Sequence, residues 1–202
     1  MSQVQYGSGG KKVRGQALAG LALTAFLLSA CSHTPMPMAD HAQTMKMGTK
    51  GTETLKSLKG RDFDIAFLSQ MIAHHEAAVD MARKALALNA KPKTKEMAQK
   101  VIDAQTKEIA QMTGWLKEWF QAEPSSEQQN LVRDEMKAMM EMPIDSDRMF
   151  YEAMIPHHQG AIEMSELAAS RSDKAELKSM AAQIIQDQKA EIEQYQQLLK
   201  TS

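Results

Sequence analysis

The chain has 202 residues, with 24 Lys and Arg against 25 Asp and Glu and a formal charge of −1, so its charge gives no argument for nucleic acid as a partner. A single cysteine leaves no intramolecular disulfide and no cluster of thiolate ligands. Methionine is the anomaly in composition, with 17 in the chain against 5 Phe, 3 Tyr and 2 Trp.

In chain order, residues 1–30 read as a lipoprotein signal peptide. Lys11, Lys12 and Arg14 form its positive start, and the apolar run from Ala17 to Leu28 is too short to span a bilayer. Leu28-Ser29-Ala30-Cys31 reads as a lipobox, with Cys31 as the lipidation site. An ordinary cleaved signal with a chance cysteine is the plainer alternative. The lipoprotein is preferred because the only cysteine stands at the one position that pathway requires. Loss of residues 1–30 takes the formal charge from −1 to −4. The expected location is the bacterial cell envelope, facing the periplasm, with the membrane as a partner through the anchor.

Residues 31–60 are polar and small, with Pro35, Pro37, Gly48, Gly51 and Gly60, and read as a flexible tether. They also carry His33, Met36, Met38, His41, Met45 and Met47. Such spacing on a loose chain suits the capture of soft monovalent copper, or is a chance enrichment in a linker; the residues leave both open.

Residues 61–202 have a helical period almost throughout and no strand-like alternation. The pattern predicts a helix from Phe63 to Leu88, stopped by Asn89 and Pro92, and a second from a Thr94 cap to Phe120. A shorter helix follows over 127–141, closed by Pro143. Asp145 or Ser146 caps the next, to Ser170, and Asp173 with Glu176 resembles a capping box for the last, to Leu199.

An internal repeat at a constant offset of 83 residues organises this domain. Asp64, Phe67, Met71, Ile72, His74, His75, Ala78, Met81 and Ala85 recur as Asp147, Phe150, Met154, Ile155, His157, His158, Ala161, Met164 and Ala168. Met97, Ala98, Ile102, Gln105, Glu108 and Ile109 recur as Met180, Ala181, Ile185, Gln188, Glu191 and Ile192. Two related helical hairpins, about 62–120 and 145–200, thus predict an all-α four-helix bundle with a short connecting helix.

On a helix, Phe67, Met71, His74, Ala78, Met81 and Ala85 form one stripe, and His75 falls on the adjoining apolar stripe. Met71 lies one turn from His74 and His75, roughly 5–6 Å, within reach of one ion. Met81 lies two turns beyond His74, about 10 Å along the axis, too far to share an ion with it unless the ion sits between them. Met71, His74, His75 and Met81, and in the second copy Met154, His157, His158 and Met164, thus put two imidazoles and two thioethers on the buried face of each hairpin. Thioether with imidazole, without thiolate, favours Cu(I), with Cu(II) where imidazole dominates, and suits zinc poorly. A single such motif would be ordinary packing, and duplication copies core residues too. Four interior imidazoles are nevertheless costly unless hydrogen-bonded or ligated.

Gln105 and Gln188 fall on the apolar stripes and either orient an imidazole or cap a backbone carbonyl. Pro156 replaces Ala73 of the first copy, removes a ladder donor and is expected to kink its helix, so the two copies need not be equal. Met136, Met139, Met140 and Met142 read as packing.

The duplicated Asp-x2-Phe-x3-Met-x2-His-His-x2-Ala-x2-Met pattern resembles the signature of the ferritin-like domain family that includes the CopM copper-binding proteins of the bacterial periplasm. The resemblance covers roughly 62–200. It implies a ferritin-like four-helix bundle that binds copper ions, and silver with them, for resistance or trafficking, with the eight Met and His residues above as ligands. The expected role is that of a metallochaperone or sequestering protein, exchanging copper with a donor or acceptor protein, and not an enzyme. The runner-up, a di-metal ferritin-like oxidoreductase, needs Glu-x-x-His pairs. Met71, Ile72, Met154 and Ile155 stand where those glutamates would be. A structural envelope lipoprotein whose histidines only hydrogen-bond is the third reading.

Overall fold

The computed structural model describes residues 50–201, all in helices or the short links between them. The helices are α1 (Lys50–Ser57), α2 (Gly60–Ala87), α3 (Pro92–Phe120), α4 (Ser126–Glu141), α5 (Asp147–Glu166), α6 (Ala168–Arg171) and α7 (Ala175–Lys200). None of them is long and apolar enough to cross a membrane. The expected signal peptide, the expected lipidation site Cys31 and the expected tether ligands Met36, Met38, His41, Met45 and Met47 lie outside the described residues.

The tether does not extend to residue 60. Lys50–Ser57 is a helix whose Leu55 is fully buried. Its first free amides, on Lys50 and Gly51, donate to the Glu135 carboxylate of α4 at 2.6 and 2.9 Å. A carboxylate at a helix start satisfies donors that have no partner within the helix. Composition hid this helix because most of its eight residues are polar, and Leu55 is its one large apolar side chain. Gly60 then turns the chain with φ +57°, a conformation open to glycine.

The caps explain the remaining boundaries. Pro92 opens α3 at its first turn, where no backbone N–H is needed, so Thr94 lies inside the helix and is not its cap. Its hydroxyl is instead hydrogen-bonded to that of Tyr151. Gln121 ends α3 in the left-handed region, φ 53°, with Ala122 N–H donating to Leu116 O and Gln121 N–H to Lys117 O. Ser146, not Asp145, caps α5 by accepting from Met149 N–H. α5 continues across Pro156 and stops at Glu166, leaving Ala168–Arg171 as a separate turn. No capping box forms at Asp173 and Glu176, because Ser172 Oγ takes the Lys174 N–H and the chain enters α7 through Lys174.

α2 packs along α3 and α5 along α7, giving the two hairpins, and α2 meets α5 across the bundle. α4 lies on the outside of α2, with α1 against it. One core cluster gathers Phe63–Ile72 of α2 with Ala161 and Met164 near the end of α5 and Ala168 of α6. A second gathers Ala78–Ala85 of α2 with Phe150–Met154 at the start of α5. The start of each helix thus faces the end of the other, so α2 and α5 run antiparallel. The histidines lie between the two apolar clusters, at the middle of the bundle.

Candidate metal centre

The four histidines follow from helical register. Their helices bury one apolar face, and the pairs sit midway along it, so all four rings are withdrawn from solvent. His74 and His157 stand in ring contact where the two hairpins meet, with centroids 3.9 Å apart. His75 and His158 lie farther out, 6.3 and 5.9 Å from their neighbours in sequence. His157 Nε2 donates to the backbone carbonyl of His74 at 2.9 Å. His75 Nε2 is hydrogen-bonded to Glu108 Oε2 at 2.7 Å. His158 Nε2 stands at the same 2.7 Å from Glu191 Oε2, but off the line of its N–H.

These contacts leave a conspicuous remainder. Both ring nitrogens of His74, and Nδ1 of His75, His157 and His158, are buried with no hydrogen-bond partner. An unsatisfied buried polar group costs about 1–3 kcal/mol. Burial, followed by the charges of His75 and His158, holds the pKa of His74 well below the usual imidazole value. Burial, then His74 and His158, does the same to His157 against a smaller opposing effect of its bond to the His74 carbonyl. Both rings are therefore neutral at ordinary pH and offer lone pairs, the form in which histidine binds metal.

The methionines are buried too, but their partnership differs from the one their spacing suggests. Met71 shares its cluster with Ala161 and Met164 of the other hairpin, and Met81 shares its cluster with Met154. Two turns separate Met81 from His74 on one helix, and antiparallel packing gathers the second methionine of each repeat into the same apolar cluster as the first methionine of the other. The four expected methionine ligands therefore divide between two apolar clusters, with the imidazoles between them. A crevice with about 10 Å³ of free space, too small for more than one small sphere, reaches His74 beside Gln70, Met136, Gly160 and Met164. Met136 packs on Ala73, Ala77 and Val132, as a packing residue should, while also lining that crevice.

Gln105 and Gln188 do not orient the histidines. Both are buried, but no hydrogen bond joins either to an imidazole, and each Oε1 is unpartnered. Glu108 and Glu191 hold that place. The sequence carried the signal for them, since an acidic residue recurs at the same offset of 83 beside an otherwise apolar stripe. Tyr195 was also missed. Its ring lies 5.6 Å from that of His158, its hydroxyl is buried without a partner, and burial pushes its pKa far up. Met112 occupies the register position of Tyr195 in the first hairpin, so the copies differ there as well as at Pro156.

Among the described residues, no three His, Cys, Asp or Glu side chains are grouped to hold a metal ion. A site built here must recruit thioethers. Neutral imidazole lone pairs without partners, between apolar clusters that bury four thioethers, fit a soft monovalent ion. A broad groove of about 850 Å³ between α3 and α7 is lined by Glu108, with Trp115, Met180 and Asp187, and brings solvent to the carboxylate behind His75.

Fold and core together define an all-α, ferritin-like bundle of two repeated hairpins around a histidine and methionine layer. The chain matches the family described as a domain of unknown function, DUF305, over residues 8–116 and again over 89–199, and it belongs to that family. It resembles CopM in the Cu(I)-bound form at 33% identity over 68% of this chain and 96% of that one, with a TM-score of 0.60. The Ag-bound form of CopM gives 31% identity over 68% and 95%, with a TM-score of 0.59. A DUF305 fragment from Deinococcus radiodurans gives 25% identity over 69% and 96%, with a TM-score of 0.57. No curated protein shows significant similarity to the chain.

Proposed function

We propose that this protein binds copper, preferentially Cu(I), in the core of the bundle and serves as a metallochaperone or sequestering protein in copper homeostasis. The carrying observation is the set of buried, unpartnered imidazole nitrogens flanked by Met71 with Met164 and by Met81 with Met154. Similar CopM structures hold Cu(I), Cu(II) and silver, which supports a copper-binding role. The leader ending at Cys31 supports export and lipid anchoring in the bacterial envelope, with a copper donor or acceptor protein as the exchange partner. The role is binding and not catalysis.

The test is anaerobic Cu(I) titration of the protein against a competing chromophoric chelator. Tight binding is expected. It should weaken by about tenfold or more, equivalent to 1.4 kcal/mol or above, when Met71 and Met154 are changed to Leu or His74 and His157 to Gln. Absence of competition would return the histidines to a packing role. Iron bound in quantity without copper would instead favour a di-metal oxidoreductase.

A further inference from the structure

An imidazole offers a metal one nitrogen at a time, and the partner of the other nitrogen decides which. A carboxylate accepts but does not donate, so the bond from His75 to Glu108 requires the proton on Nε2. The lone pair of neutral His75 is then on Nδ1, which is buried and unpartnered. The second hairpin repeats the distance but not the alignment, with His158 Nε2 at 2.7 Å from Glu191 Oε2, off the line of its N–H, and Nδ1 again unpartnered. His157 reaches the same state by another route, since the His74 carbonyl takes its Nε2–H and leaves Nδ1 free.

We propose that Glu108 and Glu191 are positioning residues that hold His75 and His158 with the proton on Nε2, so that copper is taken by Nδ1. The inference rests on the reading of the core as a copper site. Each carboxylate comes from the second helix of its own hairpin, so hairpin packing sets the ligand atom as well as the ring's place. The bond to Glu108 is well aligned and the contact to Glu191 is not, so Glu108 exerts the stronger hold.

Long-range 1H–15N correlation spectra of the full-length, 15N-labelled protein read the tautomers directly. Without metal, His75, His157 and His158 are expected as Nε2–H forms. Added Cu(I), under argon, is expected to move the Nδ1 resonances of His75 and His158 while their Nε2–H signals persist. An Nδ1–H tautomer in the metal-free protein, or a copper shift at Nε2, overturns the proposal and leaves the copper reading standing. Copper that moves no imidazole resonance sinks the copper reading itself, whatever the tautomers.

Substitution separates positioning from charge. Glu108→Gln keeps an acceptor oxygen and should retain both tautomer and copper affinity. Glu108→Leu removes the acceptor and should release the tautomer, with copper affinity falling about 10–100-fold. Equal losses in the two variants would make the carboxylate a matter of charge and refute positioning. Should Glu108→Leu fail to fold, the spectra of the parent chain and of Glu108→Gln still decide.

Discussion

At the scale of single residues, His74 and His157 carry the largest electrostatic burden in the metal-free protein. Their pKa values are depressed by burial, so the unfolded chain binds protons that the folded chain refuses. The stability they permit is fully present above the unfolded imidazole value of about 6.5 and is lost as pH falls towards their depressed folded values. Below that value, each ring should add about 1.4 kcal/mol per pH unit to the decline. Denaturant unfolding of the metal-free protein at pH 7 and pH 5 checks this, and the double change of His74 and His157 to Gln should flatten the profile. Saturating Cu(I) should raise the whole profile without flattening it, because a ligated imidazole refuses protons just as the buried neutral ring does.

At the scale of elements, the legibility of the sequence was uneven for physical reasons. Long helices with a repeated apolar stripe announce themselves, and α2, α3, α5 and α7 were readable to within a few residues. α1 was not, because one leucine and a carboxylate from 85 residues away hold it in place. Leu55→Ala should therefore cost about 2–5 kcal/mol, measured as a shift in the denaturation midpoint, where a residue in a free tether would cost nothing. The buried Met and His residues were readable because they recur at fixed offsets. Which methionines share a cluster was not, since spacing along one helix is silent about the antiparallel neighbour. The histidine-facing glutamates were passed over for Gln105 and Gln188 because the glutamines fall on the apolar stripes of their helices. In fact Glu108 and Glu191 reach the rings from the bundle's edge, with side chains 20% exposed. Within α5, Pro156 leaves one backbone acceptor without its ladder donor. Pro156→Ala should raise stability by up to about 3 kcal/mol, read by thermal or chemical melts.

At the scale of the whole molecule, the clusters belong to the assembled bundle and not to either hairpin. Energetic coupling should follow that geometry. In Cu(I) affinity, a double-mutant cycle of Met71→Leu with Met164→Leu should show an interaction of about 0.5–3 kcal/mol, within the range found for residues in contact. The cycle of Met71→Leu with Met81→Leu, two residues of one helix, should show close to none. Coupling in the second pair and none in the first would contradict the shared-cluster arrangement.

The contact between His74 and His157 places equivalent residues of the two repeats face to face, 3.9 Å apart. Equivalent residues meet in this way only at a two-fold axis, and each patch beside such an axis is complementary to itself. That is the geometry of a homodimer interface. A lone hairpin with one Met-x-x-His-His motif, docked on a second copy of itself, would already possess both methionine-bearing clusters and the entire imidazole layer. The bundle is in this sense a dimer written into one polypeptide, with α4 as the strap that made it covalent. Joining the halves released them from identity, and the divergence is visible where Pro156 answers Ala73 and Tyr195 answers Met112.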